Sequence, residues 1–98
     1  MRVSQDQEQF LVNPFGMMYN EVTASTLVKV DVRGEVVDGG STGLGISKAG
    51  FTLHSAIHQA RPDIKCIIHL HTPAAVAVSQ IGSLSGFLII CHKAMSDD

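Results

Sequence analysis

The sequence carries little charge of either sign. Charged residues make up 16% of the chain, and its formal net charge is -2. No cluster of Lys and Arg stands out, which argues against nucleic-acid binding, because clustered basic side chains supply most of that affinity. Apolar residues reach 45%, a globular rather than a disordered composition. Its 98 residues are enough for one small domain and too few for two.

Cysteine and long apolar runs are also scarce. Cys66 and Cys91 are the only cysteines and form no CxxC motif, which predicts reduced thiols in a cytoplasmic protein rather than a disulfide scaffold. The first ten residues lack the apolar core and positive flank of a signal peptide. No window approaches the ~18 apolar residues that a membrane span needs. We therefore expect a cytoplasmic protein with no transmembrane segment.

The first half of the chain reads as three short strands. Residues 10–12 (Phe-Leu-Val) predict a strand that stops at the turn composition of residues 13–16. Residues 26–31 and the pair Val36-Val37 predict a hairpin, with Gly34 supplying a positive φ.

Residues 39–45 form a glycine-rich loop with two possible interpretations. Such a loop before a helix can cradle phosphate with free backbone N–H groups. It matches neither the Walker nor the Rossmann spacing, and no lysine stands where a P-loop lysine would. A connector is the favoured interpretation.

The second half predicts a helix, a strand, a helix and a last strand. The helical spacing of apolar residues runs from Phe51 to Ala60 and stops before Pro62. Residues 65–71 predict a buried strand. Thr72 as cap and Pro73 in the first turn open a second helix to about residue 80, and residues 87–91 predict the last strand. We expect one unit of mixed α and β structure, residues 1–98.

His69 and His71 are the sharpest candidates for a functional site. Strand residues two apart project to one face, about 6.5–7 Å apart, so both imidazoles can converge on a divalent ion such as zinc. The alternative is a pair of histidines at a polar strand end that bond to backbone or water. Spacing alone leaves the two interpretations open, and no third ligand lies nearby in the sequence.

The remaining candidates favour structural roles. His54 and His58 lie four apart on one helix face, where packing is a more common role than metal binding. His92 has no second ligand near it in the sequence, and we interpret Cys66 as an inert core thiol. Residues 39–62 contain no Asp or Glu, so the predicted helix offers no carboxylate for general acid or base chemistry.

Several segments together carry a family resemblance. Residues 60–73 (Ala-Arg-Pro-Asp-Ile-Lys-Cys-Ile-Ile-His-Leu-His-Thr-Pro) resemble the segment of class II aldolases and adducins that ends in a histidine pair. Residues 51–57 resemble the helix before it, and residues 10–16 with 19–25 are especially similar to the adducin head. The resemblance is close from about Val3 to Gln80 and looser afterwards. The chain is thereby identified as a member of the class II aldolase/adducin superfamily, on the adducin branch and truncated at both ends.

The resemblance assigns roles to particular positions. In catalytic members the histidine pair binds zinc together with a later third histidine, so His69 and His71 occupy the first two ligand positions of an incomplete site. The catalytic glutamate of the family corresponds to Gly50, and the phosphate-binding serines correspond to Lys48 and Ala49. The resemblance therefore implies no catalytic residue, no cofactor-binding residue and no cofactor, with zinc possible only at an incomplete site.

The resemblance also implies a fold and a role. The family fold is a three-layer α/β fold with a central, mostly antiparallel sheet flanked by helices, of which this chain is a part. Adducin-like proteins serve the membrane skeleton at the inner face of the plasma membrane, where spectrin meets actin, and the head supports association with other adducin-like chains. We expect a non-catalytic protein with that role; the alternative is a zinc-dependent aldolase or epimerase acting on sugar phosphates. Exposed apolar surface and poor solubility are also expected.

Overall fold

The computed structural model describes residues 1–4, 6–79 and 87–91. The chain divides into two compact units, Met1–Pro62 and Asp63–Asp98. The first unit holds an antiparallel sheet and a long helix, and the second holds two parallel strands and a short helix. His92 and the predicted helix end near Gln80 lie outside the described residues.

Three strands form the sheet of the first unit, in the order β1 (Gln9–Val12), β2 (Val28–Asp31) and β3 (Val36–Asp38). Both pairs are antiparallel, and Phe10 lies opposite Val30 in the β1–β2 register. Val28 and Val30 alternate with partly exposed residues and are 0% exposed, so one face of β2 is entirely core. β3 is exposed along its whole length.

The predicted hairpin is confirmed, with Gly34 at φ +83° in the turn between β2 and β3. The side-chain Oδ1 of Asp31 accepts hydrogen bonds from the backbone N–H of Arg33 (2.9 Å) and of Glu35 (3.0 Å), which fixes the turn. A Cβ at Gly34 would lie 3.1 Å from the Phe51 ring, so the turn also needs a glycine for close packing against the helix.

Helix α1 (Lys48–Ala60) follows the glycine-rich loop and agrees with the predicted segment. The Ser47 Oγ accepts a hydrogen bond from the Gly50 N–H at 3.3 Å and caps the first turn. Phe51 enters the core with Phe10, their ring centroids 5.9 Å apart. These two rings, with Val28 and Val30, are the buried cluster that joins α1 to the sheet.

The glycine-rich loop acts as a connector tied to the body of the first unit. Gly40 donates its N–H to Asp38 Oδ1 (3.0 Å), and Ser41 donates its N–H to the Ser25 carbonyl (2.9 Å). The Leu44 N–H is directed to the Thr42 hydroxyl at 3.3 Å. Because these N–H groups are satisfied within the protein, the loop does not present them to a phosphate.

The second unit contains β4 (Cys66–Leu70), α2 (Pro73–Ser79) and β5 (Phe87–Cys91), and β4 pairs with β5 in parallel. The Thr72 Oγ1 accepts a hydrogen bond from the Ala75 N–H at 3.2 Å, which confirms the predicted cap of α2. The prediction of a buried strand is only half right. Ile67 is 6% exposed but Ile68 is 38% exposed, because successive strand residues face opposite sides and only one side of β4 is covered.

Cys66 differs from its predicted role as a core thiol. It is half-buried and forms no disulfide, and it lies on the same face of β4 as the exposed Ile68. Among the residues described, no helix is both long and apolar enough to cross a membrane.

Gly40 provides the first test of this fold. It has φ +67°, and a Cβ there would lie 2.6 Å from the Leu27 carbonyl oxygen. We expect Gly40→Ala to lower the free energy of unfolding by more than about 2 kcal/mol, since left-handed strain adds to a backbone clash. Urea unfolding followed by circular dichroism measures this.

Gly43→Ala is the matched control, because Gly43 has the same φ of +67° but nothing within 4 Å of its Cβ position. Only the strain of about 1–2 kcal/mol is expected there. Equal losses in the two variants would contradict the close approach of Gly40 to Leu27.

Candidate functional site

The two histidines of the predicted site do come together. His69 lies in β4 and is half-buried, and His71 follows the last residue of that strand and is exposed. Their ring centroids are 4.9 Å apart with planes inclined by 30°. The strand ends at Leu70, one residue earlier than predicted, yet the alternation of β4 still brings both rings to one side.

This separation is compatible with a shared metal ion. With a metal–nitrogen distance of about 2.0–2.1 Å, two rings bound at a tetrahedral angle have centroids about 5 Å apart. Zinc needs at least one more protein ligand for a catalytic site. Within the described ranges, no group of three or more His, Cys, Asp or Glu side chains is placed to hold a metal. His69 and His71 would thus supply two ligands, and metal binding remains a prediction.

Gly50, which the resemblance aligns with a catalytic glutamate, is the third residue of α1. Its φ is not in the left-handed region, and a Cβ would meet only the Ser47 side chain, at 3.4 and 3.7 Å. A side chain therefore fits at this position without strain. Glycine within a helix is destabilising by roughly 0.5–1 kcal/mol relative to alanine. Neither sterics nor helix stability therefore requires a glycine at position 50, and the local fold does not explain why a carboxylate is absent there.

His58, one of the two histidines of α1, has a packing role. His58 is 2% exposed and stacks on Phe10, with ring centroids 4.7 Å apart. Its carbonyl oxygen accepts a hydrogen bond from Arg2 Nη2 at 2.9 Å. His54, one turn earlier on α1, is only half-buried. The structure thus supports the structural interpretation of His58.

Arg2 contributes to the packing around Phe10 and His58, a role that was not predicted from the sequence. Its guanidinium carbon lies 5.2 Å from the centroid of the Phe10 ring, a cation–π contact, and the same side chain bonds to the backbone of His58. Arg2 and His58 are 56 positions apart in the chain. No local pattern signals a contact of that range, so it could be found only from the folded chain.

The whole chain is similar to known proteins. Residues 1–96 match the family model described as Class II Aldolase and Adducin N-terminal domain. The chain belongs to this family. The recognition made from the sequence motifs is therefore confirmed.

Individual relatives point to the adducin branch. The chain is 59% identical to rat (Rattus norvegicus) alpha-adducin and 52% identical to human (Homo sapiens) beta-adducin. Each match covers 97% of this chain. It is 52% identical to mouse (Mus musculus) gamma-adducin over 83% of its length. The chain spans only 12–13% of the length of these relatives.

A solved structure supports the fold. An aldolase II superfamily protein from Pseudomonas syringae matches with a TM-score of 0.70 and 51% identity, covering 83% of this chain and 32% of that one. The predicted α/β fold of the family is confirmed. The assignment of residues 1–98 to a single partial domain stays a prediction.

The histidine pair yields a test that needs no substrate. We expect the chain to bind zinc weakly, with a Kd above about 1 µM, because two imidazoles leave the coordination shell to water. The His69→Ala/His71→Ala double variant should lose this binding, as measured by competition with a chromogenic zinc chelator.

His54→Ala is the matched control and should leave zinc affinity unchanged. Tight, stoichiometric zinc in the unmodified chain would contradict the expectation and would mean that a further ligand completes the site. If the double variant binds zinc as tightly as the unmodified chain, His69 and His71 are not the zinc ligands.

Proposed function

We propose that this chain is part of a non-catalytic, adducin-like protein of the membrane skeleton. In this role it contributes the head fold, through which the protein associates with other adducin-like chains near spectrin–actin junctions at the inner face of the plasma membrane. The observation that carries the proposal is the similarity to alpha-, beta- and gamma-adducin across most of the chain. Contacts with actin and spectrin belong to the whole protein, of which this chain is a small part.

The absence of a carboxylate at Gly50 supports the non-catalytic side of the proposal. Metal-assisted aldol chemistry needs a group that moves protons beside the metal-bound substrate. All of α1 lacks Asp and Glu, and its first turn holds Lys48, Ala49 and Gly50. Since the backbone at Gly50 accepts a side chain, the missing acid is a feature of the sequence rather than a demand of the fold.

Exposed apolar side chains support the association side of the proposal. Phe15 is 62% exposed, Met18 and Tyr19 are each 67% exposed, and Leu44 is 53% exposed. Phe15 and Leu44 line one shallow hollow on the first unit together with Val36. Large apolar groups held together in this way are typical of surfaces that another protein covers.

Association with an adducin head provides the test. We expect this chain, mixed with the head domain of alpha-adducin, to sediment as a larger species in analytical ultracentrifugation. A Phe15→Ser/Leu44→Ser variant should weaken the association by about tenfold or more, because both side chains line this hollow and the buried centre of an interface carries most of its binding energy.

Leu53→Ser is the matched control, since Leu53 is a 40% exposed apolar residue on α1 outside that hollow. It should leave the sedimentation profile unchanged. If the unmodified chain and alpha-adducin sediment independently, the association role is wrong.

A second candidate function is a zinc-dependent aldolase or epimerase acting on sugar phosphates. The stacked pair of His69 and His71, and the 51% identity to a bacterial aldolase II superfamily protein, favour it. It would need a proton-transferring group and a third metal ligand from elsewhere.

An activity assay separates the two candidates. We expect no cleavage of ketose phosphates by the zinc-supplemented chain, measured by coupled detection of the triose phosphate product. Gly50→Glu should fold at least as stably, because a glutamate three residues after Ser47 completes a capping box. Gly50→Ala is its matched control, because alanine removes the cost of glycine in the helix without completing the box. Turnover by the unmodified chain would replace the first proposal with the second.

A further inference from the structure

A second, open hollow on the first unit is large enough for a small molecule. It has a volume of about 380 Å³ and lies between the end of β2, the hairpin turn and one side of α1. This volume is within the range of roughly 300–1,000 Å³ that is typical of ligand pockets. It is a different hollow from the one lined by Phe15 and Leu44.

The rim of this hollow is basic although the chain as a whole is acidic. Arg33 and Lys48 both line it, and among its described lining residues none is Asp or Glu. The net charge of the chain is -2, so the local sign is opposite to the overall sign. Two cations on one concave surface raise the local concentration of anions.

The Arg33 side chain is held only loosely by its own neighbour. Its Nη2 is 3.9 Å from Asp31 Oδ2, and the Arg33 side chain is 83% exposed. An exposed pair at this distance contributes little. The guanidinium can therefore turn to a carboxylate, to which it presents two parallel N–H donors.

The floor of the hollow is apolar and fixed. Phe51, which is 4% exposed, lines it together with Val32 and Ala56. Beside them Ser55 donates its hydroxyl to the Val32 carbonyl at 2.9 Å, and the Gln59 amide nitrogen bonds to the same hydroxyl at 3.0 Å. The Gln59 NH₂ group carries a second N–H that a ligand can accept.

From this arrangement we infer that the hollow binds a small organic carboxylate with an apolar body. Arg33 and Lys48 hold the carboxylate, and the apolar body lies against Phe51, Val32 and Ala56. The inference does not rest on the proposed membrane-skeleton role, although Gly34 and Lys48 also line the hollow proposed for association.

Titration of the isotope-labelled chain with benzoate and with acetate, followed by backbone amide chemical shifts, tests the inference. We expect saturable shifts at residues 32–34 and 48–59, with benzoate bound about three- to tenfold more tightly than acetate because only benzoate contacts the apolar floor. Arg33→Gln and Lys48→Gln should each weaken benzoate binding about three- to fivefold.

Two further variants make the result specific. Lys65→Gln removes an exposed cation of the second unit and should leave benzoate affinity unchanged. Ala56→Leu adds bulk to the lining of the hollow at an exposed helix position without altering charge, and it should abolish the preference for benzoate over acetate by covering the Phe51 side of the hollow. Thermal melts of every variant confirm that the fold is retained.

The contrary outcomes are equally distinct. Shifts spread over all basic residues, without saturation, would mean an adventitious ion only and would overturn the inference. Equal affinity of the unmodified chain for benzoate and acetate would show that the apolar floor plays no part and would also overturn it.

Discussion

The aromatic side chain of Phe10 is the contact on which the first unit depends. It extends from the first strand, 2% exposed, and touches the rings of Phe51 and His58 from two turns of α1. Arg2 contacts the same ring and also the backbone of α1. Burying one such aromatic ring contributes about 1.5–3 kcal/mol, and here the ring also sets where the helix lies on the sheet.

That placement determines what each surface of the first unit can do. With Phe51 and His58 turned to the core, the first turn of α1 and the residues on its outer side remain at the surface. The two hollows border different sides of the hairpin turn and share Gly34 and Lys48 in their linings. A shift of the helix would alter both at once, so the packing of three rings controls two separate surfaces.

The sequence allowed much of this to be predicted wherever the cause is local. Gly34 and Pro62 mark a turn and a helix end through backbone geometry alone, and Thr72 marks a helix start through its hydroxyl. The approach of His69 to His71 follows from strand alternation. Contacts between distant segments could not be predicted, because they depend on how elements pack. The contact of Arg2 with His58 and the basic hollow at Arg33 both belong to that class.

The long span of the Phe10 contacts has a consequence for synthesis of the chain. Phe51 and His58 are added some forty to fifty residues after Phe10. At translation rates of about 5–20 residues per second, the Phe10 ring waits about 2 to 10 seconds before its partners exist. During that interval the β1–β2 pair carries an uncovered aromatic side chain. The core of the first unit can therefore close only after α1 has left the ribosome.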